Sequence, residues 1–119
     1  MSTVKANDLM KVDGGIPTVK SQQLIPTAWV NFNGTSTVAI RDSEGVSSIT
    51  DLNVGWYRVV LTETMPNVNY ATFFNGGSST YNSTASTLTT AGFDVYVRND
   101  AASWIDSTFC SALVMGGQA

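Results

Sequence analysis

The sequence predicts an all-β fold, an antiparallel β-sandwich of about seven to eight short strands preceded by an extended N-terminal segment. Apolar and polar residues alternate with a period of two through several segments, which turns one face of each inward, as in a half-buried strand. Glycine, asparagine and proline punctuate the chain between these segments. No segment of helical length carries an uninterrupted apolar stripe, and residues 101–105 suffice for one short turn only.

The chain opens with a stretch unlike the rest. Asp13-Gly14-Gly15-Ile16-Pro17 and Ile25-Pro26 interrupt any long strand there, while Leu9, Met10, Val12, Ile16, Val19, Leu24 and Ile25 are too dispersed to form a core of their own. Residues 1–26 are therefore expected to be an attachment or oligomerisation segment, with those seven side chains meeting a partner or neighbouring copies. A loose tail or an edge strand of the same domain is the other reading. Residues 27–119 are expected to form the β-sandwich head.

Within the head, residues 29–33, 37–42, 46–50, 57–62, 70–74, 93–98 and 109–115 read as strands, each rich in β-branched or aromatic residues. In residues 57–62 the inward set is Tyr57, Val59 and Leu61. In residues 93–98 it is Phe93, Val95 and Val97, with Asp94, Tyr96 and Arg98 facing the other way. Asn33-Gly34, Glu44-Gly45, Met65-Pro66-Asn67 and Asn75-Gly76-Gly77 supply turns. The hydroxyl-rich tract 78–90 reads as a loop followed by an exposed strand, anchored by Tyr81 and Leu88.

Composition bounds the function. With 119 residues, 43% hydrophobic and only 13% charged, the chain suits one folded domain rather than a disordered segment. A net charge of −3 provides no basic face for phosphate, so nucleic acid is not expected as a partner. No apolar run approaches the roughly 20 residues of a membrane span, so membrane insertion is not expected either. The N-terminus lacks the apolar centre of a secretion signal, which leads us to expect synthesis in a cytoplasm.

Chemistry is sparsely equipped. There is no histidine, the usual base for serine or cysteine nucleophiles, and the single cysteine, Cys110, sits in an apolar run where a buried inert thiol is expected. One cysteine without histidine does not make a transition-metal site. Asp42, Glu44 and Asp51 read as surface turn carboxylates rather than calcium ligands. Glu63, Asp94, Asp100 and Asp106 have no spacing diagnostic of glycoside hydrolysis. We assign no catalytic residue and no cofactor, and expect no enzymatic activity. Aromatic residues are the more informative feature. Trp56 and Tyr96 lie opposite inward-facing apolar sets, and together with Trp104 they are the candidate surface recognition residues, unless a second sheet or subunit covers them.

The series Ala28-Trp29-Val30-Asn31-Phe32-Asn33-Gly34-Thr35, Val38-Ala39-Ile40-Arg41-Asp42-Ser43, Val46-Ser47-Ser48-Ile49-Thr50-Asp51, Tyr57-Arg58-Val59 and Met65-Pro66-Asn67-Val68-Asn69-Tyr70 resembles a module found near the C-termini of bacteriophage tail fibre and related virion proteins. Residues 93–98 and 109–115 resemble its closing strands more loosely. Ser36 stands where a second glycine is usual, and residues 52–56 replace a more glycine-rich hairpin. The resemblance implies a virion structural protein, commonly a homotrimer, displayed as a tail fibre or receptor-binding head for host recognition, and it carries over no catalytic residue. Its partners would be copies of itself, other virion proteins and a host surface glycan or protein. A capsid decoration or head-fibre protein is the structural alternative. A carbohydrate-binding module that stacks sugars on Trp56, Tyr96 or Trp104 is the alternative from another class.

Overall fold

Alternation along the chain becomes two stacked sheets in the computed structural model, which describes residues 3, 5–12, 15–19, 22–23, 25–77 and 81–116. Among the described residues ten strands occur in chain order: β1 Thr18–Val19, β2 Gln22–Gln23, β3 Ala28–Asn33, β4 Ala39–Glu44, β5 Val46–Asn53, β6 Trp56–Leu61, β7 Tyr70–Gly76, β8 Asn82–Thr89, β9 Gly92–Arg98 and β10 Cys110–Gly116. The first two form a small antiparallel hairpin. The other eight make two four-stranded antiparallel sheets, ordered β4-β3-β10-β7 and β5-β6-β9-β8. No helix occurs among the described residues.

Facing positions meet as strand periodicity requires. Ala28, Val30 and Phe32 of β3 and Cys110, Ala112 and Val114 of β10 point from the first sheet towards Tyr57, Val59 and Leu61 of β6 and Phe93, Val95 and Val97 of β9. All are buried, and removing each valine, leucine or phenylalanine side chain among them from water contributes ~1.5–3 kcal/mol. The rings of Phe32 and Tyr57 meet in a T-shaped contact with centroids 5.3 Å apart, joining the two sheets. Cys110 is buried and unpaired, and burial pushes its thiol up to about 11.

Turn residues act by two different means. Gly45, with φ +73°, carries the chain from β4 in the first sheet to β5 in the second. Gly34 is not in the left-handed region expected of the Asn33-Gly34 turn. It is required by crowding, because a Cβ there would stand 2.4 Å from the Tyr57 hydroxyl oxygen.

Burial on β7 and β9 is uneven. Phe73 is 60% exposed, because its neighbour Phe74 takes the inward position on β7. Asp94, on the face of β9 expected to be open, is only 1% exposed. In the N-terminal segment, Leu9, Met10, Val12 and Ile25 are exposed and Ile16 is half-buried, lining a hollow shared with Ala28, Leu61 and Met65. Leu24 and the side chain of Val19 lie outside the described residues.

Candidate recognition face

The outer face of the second sheet collects the rings that alternation had turned outward. Register sets Trp56 opposite Tyr96 and Arg58 opposite Asp94 between β6 and β9. On the far side of β9, Asn82, Thr84 and Ser86 of β8 stand opposite Arg98, Tyr96 and Asp94. Directly opposed residues share a face of the sheet, so aromatic, charged and hydroxyl groups form a continuous surface.

A tight turn introduces the first ring. Gly55 adopts φ +66°, and a Cβ there would meet the Val97 carbonyl oxygen at 2.5 Å. Its N–H donates to Asp106 Oδ1 at 2.9 Å and its carbonyl accepts from the Val97 N–H at 2.8 Å. Trp56 follows directly and stacks on Tyr96, with ring centroids 5.7 Å apart and planes inclined by 25°.

Trp104 arrives from a loop rather than a strand. Asn99 Oδ1 accepts from the N–H groups of Ala101 and Ser103 at 2.9 and 3.0 Å, while Ala102 takes φ +62°, so the chain after β9 folds back sharply. An isolated bridge between Arg98 and Trp104 and a 3.2 Å bond from the Ile105 N–H to the Val97 carbonyl secure the return. The Trp104 ring then lies 5.2 Å from Tyr96 in an edge contact and 6.3 Å from Trp56. It remains 41% exposed, and the Arg98 guanidinium sits over its face at 4.7 Å.

Beneath this surface Asp94 acts as a fixed anchor. Its Oδ2 accepts from Trp56 Nε1 at 3.1 Å, and its two oxygens receive Arg58 Nε and Nη2 at 2.7 and 3.2 Å. The carboxylate is covered by the groups it binds, which explains how a charge on the outer side of a sheet can be buried. The hydrogen bonds and charge of Asp94 raise the Arg58 guanidinium above its ordinary value. Asp106 has a parallel task, taking the Gly55 N–H and the hydroxyl of Tyr57, the latter at 2.9 Å. The Tyr57 hydroxyl also lies 2.8 Å from the Gly34 carbonyl oxygen. Burial first, then Asp106, pushes its ionisation well above the ordinary range.

Two hollows flank Tyr96. One, of about 510 Å³, is lined by Asn53, Val54, Trp56, Tyr96 and Trp104. The other, of about 350 Å³, lies along Asn82, Thr84, Ser86, Tyr96 and Arg98. Both volumes fall in the range of small-molecule clefts, roughly 300–1,000 Å³. Among the described residues, no three side chains of cysteine, aspartate or glutamate gather to hold a metal ion.

All three sequence-derived recognition residues thus meet in one cluster. Asp94, Arg58 and Arg98 escaped that reading. Alternation placed Asp94 and Arg98 with Tyr96, yet only the β6–β9 register shows that Asp94 grips Trp56.

The outer face of the first sheet differs in character. Trp29, Leu113 and Phe73 form a cross-strand row over β3, β10 and β7, followed by a polar row of Asn31, Ser111 and Asn75. These six residues line a shallow apolar depression.

Comparison with protein-family models, curated proteins and solved structures finds no match to the chain.

Proposed function

We propose that the chain is the recognition head of a bacteriophage virion fibre, a non-catalytic β-sandwich that holds a host-surface glycan against the outer face of its second sheet. The gathering of Trp56, Tyr96 and Trp104 beside a row of amides and hydroxyls carries this reading. Aromatic faces accept the apolar faces of sugar rings, and neighbouring Asn, Ser and Thr side chains exchange hydrogen bonds with sugar hydroxyls. Because Asp94 already holds the Trp56 indole, little side-chain entropy remains to be lost on binding.

The virion setting is supported by the ordered motifs of residues 28–74, which run from β3 through most of β7. In that setting the partners are two further copies of the chain, other virion proteins and the host glycan. The row Trp29, Leu113 and Phe73, together with exposed Leu9, Met10 and Val12, offers apolar area for contacts between copies.

Antibody labelling of intact particles tests the setting. Label at fibre tips is the expected result, label on the capsid favours a decoration protein, and no label on any particle surface overturns a virion role. A saccharide array tests the face. Saturable binding, abolished by joint Trp56→Ala and Trp104→Ala substitution in a chain that retains its strand-type circular dichroism, is expected. Binding unaffected by that double substitution removes the ring cluster from the reading.

A further inference from the structure

The geometry points to an acidic saccharide as the ligand of this face, with its carboxylate on Arg98 and a sugar ring against Tyr96 and Trp104. The inference rests on the recognition reading above and adds the charge of what is recognised.

The chain is acidic overall, at −3, yet among the described residues no carboxylate lines either hollow on this face. Its two cations have different fates. Arg58 is neutralised, since both Asp94 oxygens receive it in a fork. Arg98 has no carboxylate partner among the described residues. Its guanidinium carbon sits over the Trp104 ring, 4.7 Å from the centroid, a contact that leaves the positive charge unpaired with any anion among the described residues.

Arg98 also occupies the right place. It lines the same hollow as Tyr96, Asn82, Thr84 and Ser86, so an anion bound to it lies beside hydroxyl and amide groups and a ring. A planar carboxylate matches the guanidinium edge with two parallel hydrogen bonds. One cation without a carboxylate partner among the described residues balances one negative charge, which suits a carboxylate better than a phosphate dianion. Tyr96 borders both hollows, so a second sugar residue can continue over Trp56 and Trp104.

Titration of tryptophan fluorescence with a uronic-acid oligosaccharide, its carboxyl-reduced counterpart and a sulfated oligosaccharide of equal length tests this. The acidic sugar is expected to bind about tenfold or more tighter than the reduced one, with the advantage shrinking as salt is raised. Arg98→Gln should abolish the preference, so that the acidic and reduced sugars bind alike. Arg98→Lys should restore part of the preference, because charge survives without the fork. Equal binding of acidic and reduced sugars to the unaltered chain, or a preference that persists in Arg98→Gln, overturns the carboxylate assignment but leaves the recognition face standing. Tighter binding of the sulfated sugar also overturns it. Failure of all three sugars to bind sinks this inference, and if the saccharide array is likewise blank, the glycan reading falls with it.

Discussion

The carboxylate of Asp94 lies beneath the indole of Trp56, accepting its Nε1–H at 3.1 Å while Arg58 closes over both oxygens. A charge that alternation assigns to the open side of a sheet is thereby buried, and a large ring is held at one orientation. The orientation of Trp56 is thus set by a local polar network as well as by its stacking on Tyr96.

Replacing Asp94 with Asn keeps the shape and removes the charge. The substitution is expected to cost about 1.5–3 kcal/mol, the range for hydrogen bonds to a charged group. The exposed half of Arg58 keeps the contribution towards the lower end through solvent screening. Chemical denaturation measures the loss, and near-ultraviolet circular dichroism should show a weaker tryptophan signal. An unchanged aromatic spectrum would mean that the charge on Asp94 is not what holds the Trp56 ring.

Gly55 tolerates no side chain. With φ at +66° and a Cβ position 2.5 Å from the Val97 carbonyl oxygen, Gly55→Ala must shift the β5–β6 turn. We expect a loss of at least about 1–3 kcal/mol, the usual strain of a non-glycine residue forced into such a conformation. Gly15→Ala provides a control, since φ is +92° there but the nearest atom to an added Cβ is 4.0 Å away. The thermal midpoint should fall further for Gly55→Ala, and equal falls would show that close approach is immaterial.

Tyr57 makes stability depend on alkaline pH. Its folded-state ionisation is raised by burial and by Asp106, and Tyr70 is shifted in the same direction, chiefly by burial. Below about pH 10 the phenol keeps its proton in both folded and unfolded chains, so the contribution of Tyr57 is fully present. Above that pH the unfolded chain releases the proton first, and stability falls as pH rises. Cys110, raised to about 11, adds a loss of the same sign. Tyr57→Phe should flatten this alkaline limb relative to the unaltered chain. It should also cost ~1–3 kcal/mol near neutral pH by taking a donor from the Gly34 carbonyl and Asp106. Melting curves recorded across this pH range check both effects, and an equally steep limb in Tyr57→Phe would assign the transition to other groups.

What could be read along the chain is what one strand decides for itself. A pleated backbone turns successive side chains to opposite faces, so Tyr57, Val59 and Leu61 and Phe93, Val95 and Val97 were legible as core, and Trp56 and Tyr96 as outward. The left-handed turns at Gly45 and Gly77 were legible for a similar local reason. Strand order was not, because β10 lies between β3 and β7, and β9 between β6 and β8, through pairings whose strength depends on packing against distant residues. Register between strands then decided that Asp94 meets Trp56, that Arg98 stands beside the β8 hydroxyls, and that Trp29, Leu113 and Phe73 fall in one row. Trp104 joined the cluster only because its loop folds back under hydrogen bonds accepted by Asn99 and Val97. The linear pattern determined which residues face away from the core, since that follows from backbone geometry alone. Only the tertiary structure decided which of them touch, since contact between remote segments depends on how whole sheets bury their apolar faces.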